Sequence, residues 1–142
     1  MQPANGFDLP KSILIVEDDP DCRTIYQMAL EDLGYEVLIA VQGAEGVHLA
    51  RRHHPDLILM DIRMPVMDGW EAIRYLRADP YTCHIPICAI SAHLPRPEDQ
   101  ERVQRMGFDC FLMKTIDPKQ IVAEVKRRIG PPRSKRSLHD AE

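Results

Sequence analysis

The sequence predicts a doubly wound α/β domain, in which five parallel strands form one sheet and five helices flank it. Two observations support this fold class. Short, continuous apolar runs alternate along the chain with segments in which apolar residues recur at helical spacing. The chain has 142 residues, of which 44% are hydrophobic and 28% charged, and this is the length and composition of one globular domain.

Five apolar runs are the predicted strands. The central one, Leu57–Met60, is too short for a buried helix and is typical of a strand covered on both faces. It ends on a carboxylate, Asp61, and a turn with Pro65 follows. The other four predicted strands are Ser12–Val16, Tyr35–Ala40, Pro86–Ile90 and Cys110–Met113.

The helices are predicted from apolar periodicity and from their start and stop residues. Pro97 suits a first helical turn, and Gly34 and Gly107 suit helix ends. The predicted helices cover residues 20–33, 44–52, 70–78, 97–106 and 117–129. In the first helix, the spacing predicts that Ile25, Met28, Ala29 and Leu33 face the core.

The two ends of the chain differ in composition from the part between them. Residues 1–10 are predicted to be a flexible leader, and residues 131–142 a flexible basic tail. Residues 11–130 then form the folded domain, with no internal repeat. The first three cations of the run from Lys126 to Arg136 are explained by a solvated helix end, where they lie near the negative end of the helix dipole.

Composition also excludes some classes of protein. A net charge of −4 argues against a general nucleic-acid binder, so we expect no nucleic-acid partner. No apolar run approaches membrane-spanning length and the first ten residues lack a signal-peptide pattern, so we expect a cytoplasmic protein with no membrane contact. The four cysteines form no CxxC pair, and we expect reduced thiols; the histidines are expected at the surface.

Polar residues follow four of the predicted strands. They are Glu17 and Asp18, Asp61, Ser91, and Lys114. The carboxyl ends of parallel strands meet at one sheet edge, where α/β folds usually bind ligands. Three clustered acids repel one another and need a cation, and oxygen ligands without thiolate or imidazole favour Mg²⁺.

A lysine and a hydroxyl beside such a cation suit a phosphoryl group, because they neutralise or hydrogen-bond its oxygens. A carboxylate can itself accept a phosphoryl group and form an aspartyl phosphate. The sequence thus predicts phosphoryl-transfer chemistry at this edge, with Asp61 at its centre.

From Lys11 to about Gly130 the chain resembles the receiver domain of two-component response regulators, of the stand-alone CheY-like type. The resemblance rests on four motifs in order: ILIVEDDP, LILMDIRMPVMDG, PICAISAH and FLMK. It implies a flavodoxin-like strand order 2-1-3-4-5. It also implies that Asp61 is the phosphoacceptor. Mg²⁺ would be held by Asp18, by Glu17 through water, by Asp61 and by the backbone carbonyl of Arg63.

The resemblance further implies that Ser91 hydrogen-bonds the phosphoryl group and that Lys114 forms an ion pair with it. The family's switch would couple a shift of the Ser91 loop to an inward turn of Phe111. The implied partners are a histidine kinase or a histidine phosphotransfer protein, and a downstream protein that docks on the face of helix four, strand five and helix five. We expect a monomer or weak dimer.

Four residues depart from the commonest family pattern. Glu17 stands in place of Asp, Ser91 in place of Thr, and Phe111 lacks a phenolic hydroxyl. Thr115 follows the lysine where the family usually has a cis proline, and a non-proline cis bond costs about 2.5–4 kcal/mol. We therefore expect a trans Lys114–Thr115 bond.

Two alternatives remain open from the sequence. One is a pseudo-receiver that acts as an unphosphorylated scaffold, against which the retention of Asp61, Asp18, Ser91 and Lys114 argues. The other is a haloacid-dehalogenase-like phosphatase, but that family has an acid two residues after its nucleophile, where this chain has Arg63. The Arg63 side chain is expected beside the site, where it would influence hydrolysis of the phosphoryl group.

Overall fold

The computed structural model describes residues 10–92, 96–114 and 117–132. Within them lies a sheet of five parallel strands in the order β2-β1-β3-β4-β5. The strands are β1 Ser12–Val16, β2 Glu36–Ala40, β3 Leu57–Asp61, β4 Ile87–Ser91 and β5 Cys110–Met113. The helices are α1 Pro20–Leu33, α2 Gly43–His53, α3 Gly69–Ala78, α4 Pro97–Met106 and α5 Lys119–Ile129. The predicted fold class is confirmed.

Each face of the sheet has its own apolar core. Ile58 and Met60 of β3 pack with Ile73 and Leu76 of α3 on one face. On the other face, alternate strand residues such as Leu59 pack against α1 and α5. Because side chains alternate across a strand, a continuous apolar run is required to fill both cores, and β3 is buried at every position.

The buried face of α1 differs from the prediction. Tyr26 and Leu30 are its buried residues, whereas Met28 is 60% exposed and Leu33 is 38% exposed. Met28 and Leu33 fit helical spacing as well as Tyr26 and Leu30 do, so periodicity alone could not identify which face of the helix is buried. The predicted inward face was wrong for these two residues because Tyr26, with its large ring, fills the space against the sheet.

The expectation of reduced thiols was wrong for one pair of cysteines. Cys88 and Cys110 lie directly opposite each other in β4 and β5, with 4.6 Å between their Cα atoms, and they form a disulfide. Cys22 and Cys83 are free, and Cys83 is exposed. The sequence could not show this pairing because it depends on the register of two strands 22 residues apart.

The end of the last helix is tied to residues that directly precede β1 and β2. The Lys11 ammonium donates to the Ile129 carbonyl at the end of α5, and the Tyr35 hydroxyl donates to the Gly130 carbonyl at 2.6 Å. A cation at a helix C-terminus also complements the helix dipole. The predicted domain limits themselves stay a prediction, since most of the leader and tail lie outside the described residues.

In the part of the chain that the structure describes, no helix is both long and apolar enough to cross a bilayer. The histidines at positions 48, 53, 54 and 84 are exposed, as predicted. His93, His139 and the Lys114–Thr115 bond lie outside the described residues, so the prediction of a trans bond stays a prediction.

Candidate functional site

Asp61 is buried at the carboxyl end of the central strand β3, with only 1% of its surface exposed. Its Oδ1 accepts a hydrogen bond from the backbone N–H of Arg63 at 2.9 Å. Its Oδ2 accepts one from the ammonium of Lys114 at 3.0 Å. Both carboxylate oxygens are thus oriented, which holds the side chain in one position at the sheet edge.

Gly69 allows helix α3 to begin directly against this strand end. A Cβ at Gly69 would lie 2.6 Å from the Ile62 Cα and 2.7 Å from the Asp61 carbonyl oxygen. Both are backbone atoms, which cannot move aside as a flexible side chain would. The Asp68 side chain caps the same helix by accepting from the Glu71 N–H at 3.0 Å. Asp68 and Gly69 therefore position the start of α3, and they have no chemical role at the site.

Lys114 directly follows β5 and contacts the ends of three other strands. Its ammonium lies 2.9 Å from Glu17 Oε2, just after β1, and 3.0 Å from Asp61 Oδ2 at the end of β3. Its own backbone N–H, just after β5, donates to the Ser91 carbonyl at 2.7 Å. Both carboxylates are almost completely buried, so these are charge-assisted contacts shielded from water.

Glu17 has an unusual electrostatic environment. Burial raises the pKa of Glu17 to about 7, and the nearby Asp61 charge adds to this, while hydrogen bonds from Asp19 and Lys114 oppose it. For Lys114, burial acts to lower the pKa, but hydrogen bonds to Glu17 and Asp61 outweigh it and the net shift is upward. The carboxylates keep this lysine charged.

The acids meet the requirements of a hard divalent cation. Glu17, Asp18 and Asp61 each offer a carboxylate oxygen, and these oxygens lie within 4.8 Å of one another. Glu17 Oε1 is buried and has no hydrogen-bond partner among the described residues, which is costly unless a ligand satisfies it. Three carboxylates and one ammonium leave a formal charge of −2, which a Mg²⁺ ion would balance.

A second group with possible metal ligands contains Cys88, Cys110 and Glu124. Its two sulfurs are joined in the disulfide and are therefore not available as thiolates. Among the described residues, the acidic group at the sheet edge is thus the better candidate for a metal.

Ser91 and Phe111 lie where the sequence predicted. Ser91 ends β4 and is 3% exposed, and its carbonyl accepts from the Lys114 N–H. Phe111 is half-buried in β5, opposite Ala89, and packs against the core on the α3 side of the sheet. The structure therefore brings Glu17, Asp18, Asp61, Ser91 and Lys114 to one sheet edge, and Phe111 three residues before Lys114 along β5.

The Arg63 side chain is exposed beside this edge. Together with Arg96 and Asp99 it lines a cleft of about 540 Å³ that opens to solvent. Trp70 lines the same cleft but serves packing: its ring meets Phe108 edge-on at 5.8 Å, and the Arg102 guanidinium lies 4.0 Å above it. This agrees with the predicted packing role of Trp70.

Two features near the site were not predicted from the sequence, one that orients Glu17 and one in the turn after β3. Asp19 donates its backbone N–H to Glu17 Oε2 at 3.0 Å and caps α1 by accepting from the Asp21 N–H. The Asp19-Pro20 pair is a helix-start signal and could have suggested the cap. Val66, in the turn after β3, has φ 67° and a 96% exposed side chain, and no sequence signal marks that backbone conformation.

Comparison with known proteins gives the family. The sequence model of the response regulator receiver domain family matches residues 13–126, which are most of the chain. The chain belongs to the response regulator receiver family. The haloacid-dehalogenase alternative loses its support with this result.

The relatives of this chain include response regulators and the receiver domain of a sensor histidine kinase. The polar-differentiation response regulator DivK of Brucella ovis is 35% identical over 122 residues, which cover 86% of this chain and 98% of DivK. The chemotaxis protein CheY4 of Vibrio cholerae has a TM-score of 0.78 at 28% identity, covering 83% and 98% of the two chains.

A third relative is described with a metal. The receiver domain of the sensor histidine kinase PA1611 from Pseudomonas aeruginosa has a TM-score of 0.76 at 35% identity, over 84% of this chain and 98% of that domain. Its structure has a magnesium ion coordinated in the active site cleft. The family places this chain in two-component signal transduction, in which receiver domains interact with histidine kinases and downstream targets.

Proposed function

We propose that this receiver domain accepts a phosphoryl group on Asp61 from a phosphohistidine donor, in a Mg²⁺-dependent reaction, and signals through phosphorylation-dependent protein contacts. The observation that supports this most strongly is the Glu17–Lys114–Asp61 cluster at the end of the central strand. It combines an oriented carboxylate, a cation in direct contact with it and a second buried acid with a free oxygen.

In the proposed reaction, a carboxylate oxygen of Asp61 attacks phosphorus while the P–N bond to the donor imidazole breaks. The imidazole leaves with the electron pair of that bond and takes a proton. The hydrogen bond from the Arg63 N–H keeps the Asp61 carboxylate aligned for this attack. Lys114 would move from pairing with the Asp61 carboxylate to pairing with the phosphoryl oxygens, and the Ser91 hydroxyl would hydrogen-bond another of them.

Glu17, Asp18 and Asp61, with the backbone carbonyl of Arg63, would hold Mg²⁺. When bound, the ion would neutralise charge on the phosphoryl oxygens. The role of Glu17 would be through water, as its extra methylene relative to Asp still allows. The relative with magnesium in its cleft and the orphaned Glu17 oxygen both support this assignment.

The proposed partner surface for signalling is the α4–β5–α5 face. A cleft of about 450 Å³ lies between α4 and β5, lined by Gln100, Val103 and Gln104 of the helix and by Phe111 of the strand. Phe111 follows the disulfide and precedes Lys114 by three residues, so this cleft is connected by a short stretch of strand to the acceptor site. The output is binding, and the acceptor chemistry would be limited to its own phosphorylation and dephosphorylation.

The experiment that tests the proposal is intact mass measurement after incubation with acetyl phosphate and Mg²⁺. We expect wild-type protein to gain one phosphoryl group, and Asp61→Asn or chelation of Mg²⁺ to abolish the gain. Absence of an adduct on a folded wild-type protein would favour the pseudo-receiver scaffold and contradict the proposal. Turnover of external phosphate esters without a stable adduct would favour a phosphatase instead.

A further inference from the structure

We propose that Cys88 and Cys110 form a reversible redox site, interconverted by low-molecular-weight thiols and disulfides such as glutathione, whose state controls the β4–β5 ladder that carries Ser91 and Lys114. The pair joins two adjacent strands at directly opposed positions. It is separate from the acceptor site and is used by no step of the proposed phosphorylation.

The disulfide lies close enough along the strands to influence the sheet edge that carries Asp61, Ser91 and Lys114. β5 is an edge strand and pairs only with β4 in the described sheet. The disulfide lies near the beginning of this two-strand ladder, and the hydrogen bond from the Lys114 N–H to the Ser91 carbonyl closes its end. Only the pairs Ala89–Phe111, Ile90–Leu112 and Ser91–Met113 separate the two.

Reduction should leave the domain folded. The start of the ladder is also held without the disulfide, because the Asp109 N–H donates to the Ile87 carbonyl and the Ile87 N–H donates to the Asp109 carboxylate, both at 2.8 Å. Arg77 fixes Asp109 in turn through an ion pair of 3.0 Å. The strands therefore keep their register, and the two thiols stay adjacent and ready to reoxidise.

The two cysteine residues differ in exposure, and this difference sets the expected order of the reaction. Cys88 is fully buried, whereas Cys110 is half-buried in the edge strand. A thiolate from a small thiol would attack Cys110 Sγ, and Cys88 would leave as a thiolate and take a proton. A second thiol would then attack the outer sulfur of the mixed disulfide, releasing the Cys110 thiol and a small-molecule disulfide. The two thiols together supply the two electrons and two protons.

The consequence reaches Lys114. With the disulfide broken, the edge strand loses its covalent tie to β4, and the Lys114–Ser91 hydrogen bond opens more often. Because the Lys114 ammonium holds Glu17 and Asp61, the redox state would alter the proposed acceptor site. This last consequence rests on the proposed function, whereas the redox chemistry and the strand dynamics do not.

The first test counts free thiols in a Cys22→Ser/Cys83→Ser variant, in which only the pair remains. The folded protein is equilibrated in glutathione buffers of increasing reducing strength, and circular dichroism confirms the fold in each buffer. The thiols are then alkylated in denaturant, so that the buried Cys88 is also counted, and the protein is weighed intact. We expect a reversible change from no alkylated cysteine to two. The proposal is overturned if the disulfide is reduced only in buffers in which the protein unfolds, or if both thiols are free in every buffer.

The second test follows amide hydrogen exchange of the oxidised and reduced protein. We expect the Lys114 amide to exchange at least about tenfold faster after reduction, while amides of the central strand β3 are unchanged. A Cys88→Ala/Cys110→Ala variant should match the reduced protein in both buffers, and Cys83→Ser should respond as wild type does. Equal Lys114 exchange in the two redox states would overturn the control that we assign to the disulfide.

Discussion

The Lys114 ammonium lies 2.9 Å from Glu17 Oε2 and pairs equally closely, at 3.0 Å, with Asp61. One cation from the end of β5 thereby joins two buried acids from the ends of β1 and β3. Neither acid would be tolerated there as an unpaired charge. The arrangement orients the Asp61 side chain, and it makes the stability of the site depend on the protonation of Glu17.

In the absence of Mg²⁺, replacement of Glu17 by Gln should make the free energy of unfolding less dependent on pH. Folding raises the Glu17 pKa from its ordinary 4.5 to about 7, chiefly through burial, so the folded state favours the protonated acid. The contribution of this group is present below pH 4.5 and is lost as the pH rises through about 7. As the pH rises between these two values, the free energy of unfolding of Glu17→Gln should increase relative to that of wild type by at most about 3 kcal/mol.

The measurement is urea unfolding of both proteins at a series of pH values with a chelator present. Glu36→Gln, at an exposed position of β2, is the matched control and should follow wild type closely. A Glu17→Gln curve that runs parallel to wild type from pH 4.5 to 7 would show that burial does not perturb this acid.

Replacement of Gly69 by Ala should disturb both the fold and the acceptor. The added Cβ would meet the backbone of Ile62 and Asp61 at 2.6 and 2.7 Å, so α3 must move away from the strand end. We expect a loss of about 1–3 kcal/mol in the free energy of unfolding, typical of overpacking. Phosphorylation of Asp61 by acetyl phosphate should also slow, because the strand end shifts.

Denaturant unfolding and the rate of adduct formation check this prediction. Ala72→Gly in the same helix is a useful comparison: it weakens α3 without pushing on Asp61, so stability should fall while phosphorylation is kept. A Gly69→Ala protein with unchanged stability and rate would mean that the close approach is easily relieved.

Most of the fold was predictable because its signals are local. The apolar runs gave all five strands to within one residue at either end, and Gly34 and Gly107 both take the left-handed conformation that ends a helix. The meeting of Asp61, Glu17 and Lys114 followed from parallel topology alone, since each comes at or after the carboxyl end of a strand.

What escaped prediction depends on three-dimensional placement. The disulfide needs the register of β4 against β5, and the inner face of α1 needs the shape of the space that Tyr26 fills. The lack of a hydrogen-bond partner for Glu17 Oε1 among the described residues can be recognised only when the neighbours of that atom are known. The left-handed backbone at Val66 is imposed by the turn, against the preference of a β-branched residue.

Replacement of Val66 by Gly should stabilise the protein. A β-branched residue at φ 67° is strained, and a side chain that is 96% exposed contributes little packing to offset this. Glycine has more conformational entropy in the unfolded chain, which offsets part of this benefit. We therefore expect the free energy of unfolding to increase by about 0.5–1 kcal/mol. Thermal or urea unfolding measures the difference.

Val41→Gly is the matched control, because Val41 is also exposed but does not have a positive φ. That change should destabilise the protein through backbone entropy alone. If both substitutions destabilise to the same extent, the turn after β3 does not store strain at Val66.

Replacement of Arg63 by Ala should change the lifetime of the phosphorylated protein. The Arg63 side chain is exposed beside Asp61, where it would obstruct or orient the water that hydrolyses the acyl phosphate. Since the Arg63 backbone N–H remains to hold Asp61, phosphorylation itself should persist. We expect the decay rate to change by about twofold or more.

The decay is followed by intact mass after removal of acetyl phosphate. Arg74→Ala, an exposed arginine on α3, serves as the control and should decay at the wild-type rate. Identical decay of Arg63→Ala and wild type would remove Arg63 from the hydrolytic step.

The central claim is that Asp61 carries the phosphoryl group, and chemical trapping of the acyl phosphate tests it most directly. Borohydride reduces an aspartyl phosphate to homoserine, so peptide mapping of protein treated with acetyl phosphate and Mg²⁺ locates the modified residue. We predict homoserine at position 61, and none there in Asp61→Asn or when Mg²⁺ is chelated. Homoserine at another aspartate, or a phosphorylated protein that yields no homoserine, would contradict the account.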